Sequence, residues 1–392
     1  MKPKLRFVGF SDDWEKKTLG DIGEIRMCKR IFNSETNQSG GIPFYKIGTF
    51  GKSADAFIDE QLYRLYRKKY KFPKEGEILI SAAGTLGRRV RYNGENAYYQ
   101  DSNIVWIEND EEHVLNDFLY HLYEIVRFES EGGTIQRLYN PIIKRAEIIV
   151  PDLVEQFKIS RLLDAIDHKI NLLTKKKQAI ETYKKGLIQK IFSQELRFKR
   201  GDGTSFVSWE ERSLSTCLRN VIVPMRDKPK EFGGSIDWCR IEDIKRGYIN
   251  GSIAGLKVSA NCIDQMNLKV LPIGSVIVSC SAYLGICARV TKPLITNQTF
   301  IGLVPDSDIT TDFLYYAVSS KERVLNRLSS GTTISYLSRS EFEDLKVQIP
   351  CIDEQDKITG ILNFIDVSIE LVESQIEMTK NLKKGLLQQM FV

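Results

Sequence analysis

The chain has 392 residues, is 42% hydrophobic and 27% charged, and carries a formal net charge of +5. At roughly 150 residues per domain this predicts two or three domains with their own cores, and the composition excludes collagen and wholesale disorder. No run approaches ~18 consecutive apolar residues, and the opening MKPKLRFVGF has no apolar secretory segment, so a cytoplasmic protein with no membrane partner is expected.

Along the chain, short apolar runs bounded by Gly, Asn and Asp read as strands: Ile78 to Ile80, Ile104 to Ile107, Val276 to Val278 and Phe300 to Val304. Phe118 to Val126 and Phe313 to Val318 read as short helices. Two long helices are clearer. The first carries Ile159, Leu163, Ile166, Ile170, Leu173 and Ile180 at alternating spacings of 4 and 3, with Lys177 interrupting. The second carries Ile358, Leu362, Ile365, Ile369, Val372 and Ile376 in the same pattern, and Pro151 and Pro350 precede the two starts. The first helix is basic (Lys175, Lys176, Lys177, Lys184, Lys185) and the second acidic (Asp353, Glu354, Asp366, Glu370, Glu373). Matching seams of opposite charge predict an antiparallel coiled coil.

These elements form a tandem repeat. Leu5-Arg6-Phe7 and Trp14-Glu15 recur as Leu196-Arg197-Phe198 and Trp209-Glu210. Further on, Pro151, Glu155-Gln156, Asp167 and Lys184-Lys185-Gly186-Leu187 recur 199 residues later as Pro350, Glu354-Gln355, Asp366 and Lys383-Lys384-Gly385-Leu386. The expected fold is α+β: a duplicated mixed α/β domain, each copy followed by a long helix, with approximate two-fold symmetry. The expected boundaries are 1–152, 153–195, 196–351 and 352–392.

Catalytic signatures are missing. Gly48 to Ser53 resembles a phosphate loop, but Lys46 stands where the first glycine belongs, and no dinucleotide, zinc-protease or serine-nucleophile motif occurs. Seven cysteines without a C-x-x-C, and three scattered histidines, offer neither a disulfide framework nor a metal-binding spacing, so no metal is expected. A non-catalytic chain with no cofactor of its own is expected.

Nucleic-acid contacts have candidates. Arg64, Arg67, Lys68, Lys69 and Lys71 are interleaved with tyrosines, a pattern suited to phosphate. Lys46, and Arg88, Arg89 and Arg91 beyond the turn holding Thr85, form a further set. In the second copy Arg240, Lys245 and Arg246 are the basic candidates. Gln100 and Asn103, and Asn297 and Gln298, suit base-edge hydrogen bonds. Ser281 and Tyr283 occupy the second copy's version of the Thr85 turn, and Thr332 and Thr333 follow Gly331.

Two divergent α/β regions, each ending in an I-V-P or Q-I-P segment, then an E-Q helix start and an apolar heptad helix, resemble the specificity subunit of a type I restriction-modification enzyme. The resemblance covers the whole chain. It implies two target recognition domains, each reading half of a split, asymmetric sequence on double-stranded DNA. It also implies that the paired helices set the spacing and dock two adenine-methylating M subunits, with two R subunits in the full complex. S-adenosylmethionine, ATP and Mg2+ would then sit on partner subunits. A coiled-coil scaffold without DNA readout is the alternative.

Overall fold

The computed structural model describes residues 2–128, 137–225, 227–280, 284–328 and 339–392. Contacts group the chain into two units, Met1–Thr174 with Gln375–Val392, and Lys175–Ser374.

In the first unit the order is β1 (Glu15–Thr18), β2 (Gly23–Arg26), β3 (Thr36–Asn37), β4 (Ile42–Tyr45), β5 (Ala56–Ile58) and α1 (Glu60–Lys69). Then come β6 (Ile78–Ser81), β7 (Arg89–Arg91), β8 (Tyr98–Tyr99), β9 (Ile104–Asn109), α2 (Asn116–Leu122), α3 (Asn140–Arg145), β10 (Glu147–Val150) and α4 (Leu153–Phe192). Two four-stranded sheets, ordered β2-β9-β6-β7 and β3-β5-β4-β8, are accompanied by a separate antiparallel ribbon, β1-β10.

The apolar runs of β6 and β9 do not alternate with polar residues because both faces are buried. Ile78, Ile80, Val105 and Ile107 face the core holding Phe118, Ile159 and Leu163. Leu79, Ile104 and Trp106 face a second core with Phe44, Ile58, Tyr98 and Tyr99.

The second unit repeats the scheme with a larger sheet. Its strands are β11 (Glu210–Ser213), β12 (Leu218–Ile222), β13 (Ile236–Cys239), β14 (Ile244–Lys245), β15 (Tyr248–Ile249) and β16 (Lys257–Val258), followed by α5 (Ala260–Gln265). Next are β17 (Val276–Ser279), β18 (Cys287–Val290), β19 (Leu294–Thr296), β20 (Phe300–Pro305), α6 (Thr311–Ser320), α7 (Glu322–Leu328), α8 (Arg339–Glu343), β21 (Lys346–Ile349) and α9 (Ile352–Met390). One sheet has six strands in the order β12-β20-β17-β18-β15-β14, another has three, and β11-β21 is the ribbon.

At 40 and 39 residues, α4 and α9 are the long helices read from the heptads. Within each unit they pack antiparallel. In the second unit Lys177 pairs with Glu373 at 2.7 Å and Lys184 with Asp366 at 2.5 Å; in the first, Lys383 pairs with Asp167 at 2.7 Å. The residue that interrupts the seam, Lys177, is thus itself a cross-helix ion pair.

Of the seam residues, Ile159, Leu163, Ile166, Ile358, Leu362, Ile365 and Val372 are buried, and Ile170, Leu173, Ile180, Ile369 and Ile376 are half-buried. No described helix is long and apolar enough to cross a membrane.

Candidate nucleic-acid interface

The recurring sequence signatures are the bonds that fix each sheet assembly to its helix. Glu155, in the first turn of α4, is fully buried. It accepts from Arg6 Nε and Nη2 at 2.8 and 2.6 Å and from the Trp14 indole at 3.2 Å. Glu354 in α9 does the same with Arg197 at 3.2 and 2.7 Å and Trp209 at 3.0 Å. The neighbouring Gln156 donates to the carbonyls of His113 and Pro151 and accepts from the Leu115 amide. Gln355 repeats this with Asp308, Pro350 and Thr310. The E-Q pair therefore ties ribbon, short helix and long helix together in both units.

A second duplicated cluster lies further along each helix. In the first unit His121, fully buried, places Nε2 3.0 Å from Asp164 Oδ1, while its Nδ1 faces Glu124 at 3.6 Å and Asp167 at 3.9 Å. Lys383 bridges Glu124 and Asp167 at 2.5 and 2.7 Å, Arg89 pairs with Glu124, and Arg91 reaches Asp117 at 3.1 Å and Asp164 at 3.2 Å. Burial opposes ionisation of Glu124, but the nearby His121 ring, the hydrogen bond from Lys383 and the charge of Arg89 win and hold its carboxyl down at about 2.

The second unit keeps the geometry with different chemistry. Arg289 meets Asp312 at 2.7 Å and Asn363 at 3.0 Å, Tyr316 lies 2.6 Å from Asp366, and Lys184 takes the place of Lys383. His121, Glu124 and Asp167 are close enough to share a cation, and that cation is already the Lys383 ammonium.

Placement of the basic candidates follows from this frame. Arg89 and Arg91, expected among the DNA contacts, turn inward. Their guanidinium groups stack over Tyr120 at 4.4 and 4.9 Å and meet Glu124 just beyond α2, Asp117 of α2 and Asp164 of α4, so they fasten β7 to the helices. Arg246, with φ of 53°, faces Glu370 and Glu373 on α9 at 3.6 and 3.3 Å and keeps about half of its side chain exposed.

The remaining candidates of the first unit lie at its surface. Helix α1 is capped by Asp59, which accepts from the Gln61 and Leu62 amides, and its buried Tyr63 faces the sheet. That orientation leaves Arg64, Arg67, Lys68 and Lys69 exposed, with Lys71 just beyond. Arg64 pairs with Glu60, Arg67 packs on the Phe72 ring at 5.2 Å, and Lys71 meets Glu108 at 2.8 Å.

Lys46 pairs with Asp55 at 3.2 Å and Arg88 donates to the Phe50 carbonyl at 3.0 Å. Thr85 is exposed in a turn where Gly84 and Gly87 hold φ of 68° and 72°, values a side chain would strain. Gln100 is used structurally, its Oε1 accepting from the Ile47 amide at 2.9 Å, while Asn103 accepts from Arg137 at 3.4 Å.

In the second unit Arg240 lies beside the Trp238 ring at 5.9 Å, Lys245 and Gln298 are exposed, and Asn297 accepts from the Thr299 hydroxyl at 2.6 Å. Ser281, Tyr283, Thr332 and Thr333 lie outside the described residues. Sequence reasoning missed Arg30, which is exposed and paired with Asp101 at 2.9 Å. Its partner is 71 residues away, and no local motif marks it.

Burial pushes Cys28, Cys239 and Cys287 up to about 12, and all seven cysteines are unpaired.

Comparison with known proteins is consistent with this duplicated architecture. The family model described as "Type I restriction modification DNA specificity domain" matches residues 11–182 and 223–379. A putative type I restriction enzyme specificity subunit of Haemophilus influenzae is 56% identical over 157 residues, a match spanning 40% of this chain and 41% of that protein. The MjaVIII specificity subunit of Methanocaldococcus jannaschii is 23% identical over 96% of this chain and 91% of its own length. A crystal structure of a type I restriction-modification S subunit from M. genitalium superposes with a TM-score of 0.63 at 16% identity, covering 100% of this chain and 99% of that one. The backbone architecture is shared even where most residues differ.

Proposed function

Since the chain belongs to the family of type I restriction-modification DNA specificity domains, we propose that it is the DNA-reading subunit of such a complex and has no catalytic centre of its own. Each unit reads one half of a bipartite target on double-stranded DNA. The α4 and α9 pair sets the spacing and docks two methyltransferase subunits, and two restriction subunits complete the assembly. S-adenosylmethionine, ATP and Mg2+ belong to those partners, and the complex works in the cytoplasm.

The observation that carries this reading is the contrast between clamps repeated in the two units and sheets that differ between them. The Arg-Trp-Glu and Gln bonds are repeated residue for residue in both units, whereas one main sheet has four strands and the other six. Two heads on one frame, with different surfaces, suit two different half-sites and hence an asymmetric sequence.

The test is adenine-methylation mapping of genomic DNA from cells expressing this chain with and without its cognate methyltransferase subunit. A split, asymmetric motif appearing only with both proteins supports the proposal. A soluble complex that methylates no new motif and does not retard DNA points to the scaffold alternative, and methylation by this chain alone refutes the non-catalytic assignment.

A further inference from the structure

We infer that Arg30 is a specificity-determining residue of the first unit, positioned by Asp101 to read a guanine edge; this rests on the DNA-reading assignment proposed above. Arg30 follows β2 on a segment that is fixed at its base. Cys28 is buried, and the carbonyl of Lys29 accepts from the hydroxyl of buried Tyr98 at 3.0 Å. The Arg30 side chain then emerges with 60% of its surface exposed.

Its Nε donates to Asp101 Oδ2 at 2.9 Å, and Asp101 is itself only 13% exposed. Among the described residues the two Nη groups have no partner. They are the pair of donors that matches O6 and N7 of guanine in the major groove.

The surrounding loop is built to hold this geometry. Ser102 adopts φ of 61°, a left-handed conformation uncommon for a residue with a side chain, and its hydroxyl lies 3.7 Å from Met27 Sδ across the gap. Arg137 lies 3.4 Å from the Ser102 carbonyl oxygen, and Gln100 anchors the start of the loop to Ile47. With its arginine 60% exposed, the Arg30–Asp101 pair is weakened by solvent screening and adds little to stability.

Nor does it suit phosphate. A carboxylate 2.9 Å from the guanidinium cancels its charge and repels a phosphate, whereas a neutral base edge needs direction rather than charge. In the second unit the position equivalent to Asp101 is Asn297, whose side chain is taken by Thr299. The carboxylate half of the device is therefore particular to the first unit.

The test selects binding sites from a pool of randomised duplexes, using the full chain co-purified with its methyltransferase partner, as wild type, Arg30→Ala, Arg30→Lys and Asp101→Asn. Wild type should fix a G·C pair at one position of one half-site. Arg30→Ala should relax that position alone, losing about 5- to 150-fold in discrimination, the range of one bidentate contact. Arg30→Lys, which keeps the charge without the fork, should relax it too while keeping low-salt affinity, and Asp101→Asn should relax it in part.

An unchanged motif with uniformly weaker binding in Arg30→Ala, rescued by Arg30→Lys, would make Arg30 a phosphate contact and overturn the inference while leaving the DNA-reading assignment intact. Wild type showing no sequence preference would overturn both.

Discussion

Replacing Glu155 by Ala tests whether the recurring Arg-Trp-Glu signature is a structural clamp. The carboxylate is fully buried, holds Arg6 through two bonds of 2.8 and 2.6 Å, and takes the Trp14 indole at 3.2 Å. Removing it strands a guanidinium that is only 12% exposed and an indole N–H with no acceptor. Breaking one partner of a buried ion pair costs about 3–5 kcal/mol, a large share of the roughly 5–15 kcal/mol that stabilises a typical domain.

Removing both charges should cost less. Arg6→Met with Glu155→Leu leaves no buried charge unpaired and loses only the acceptor of the Trp14 indole N–H, so about 1–3 kcal/mol should be lost. The assay is urea denaturation of the full chain, with hydrogen exchange to locate the change in the β1-β10 ribbon. A loss below about 1 kcal/mol for Glu155→Ala, or a double variant as unstable as the single one, would refute the clamp.

Four further outcomes are expected. Glu124 ionises near 2 in the folded chain and near 4.5 when unfolded, so between these values the unfolded state binds more protons. Its contribution is present above pH ~4.5 and lost as pH falls toward 2; after screening of this partly exposed group it is roughly 1–2 kcal/mol, and Glu124→Gln should flatten that limb of an acid-denaturation curve. Lys68→Glu with Lys69→Glu should weaken binding to all DNA sequences alike and make the log-affinity against log-salt slope shallower by about 2, measured by filter binding; a changed preferred sequence would contradict this. Leu362→Ala, at a fully buried seam position, should cost about 2–5 kcal/mol in urea titration. Arg89→Ala should lower thermal stability and leave the salt slope of DNA binding unchanged, because Arg89 is occupied by Glu124 and Tyr120.

What could be read before the structure was whatever repeats locally. The heptads gave α4 and α9 because burial follows the 3.5 spacing, and the uninterrupted apolar runs gave β6, β9, β17 and β20 because those strands are covered on both faces. The importance of the E-Q pairs was visible from their recurrence, but their bonds to residues about 150 positions earlier were not. Direction is what sequence withheld. Arg88, Arg89 and Arg91 look equivalent in a row, yet the pleat and the position of Tyr120, Glu124 and Asp164 send the last two into the helix cluster. The basic residues of α1 stay outside because Tyr63 must go in. Arg30 escaped notice because its meaning depends on Asp101, brought near only by the loop after β8.

The duplicated clusters also decide which exchanges of recognition regions can work. A segment such as 20–140 lies outside the Arg6, Trp14 and Glu155 bonds, so moving it leaves that clamp whole. It does carry His121, Glu124, Arg89 and Arg91, which must meet Asp164, Asp167 and Lys383 on the retained helices. A donor resembling the second unit would bring Tyr316 and Arg289, whose own partners are Asn363 and Asp366. Placed against Asp164 in the absence of His121, such a tyrosine leaves the helix with one more carboxylate than the donor's frame had. Exchange should therefore succeed with segments of the His type and need Asp164→Asn with segments of the Tyr type, because the helix side of the cluster is tuned to the charge that the sheet side delivers.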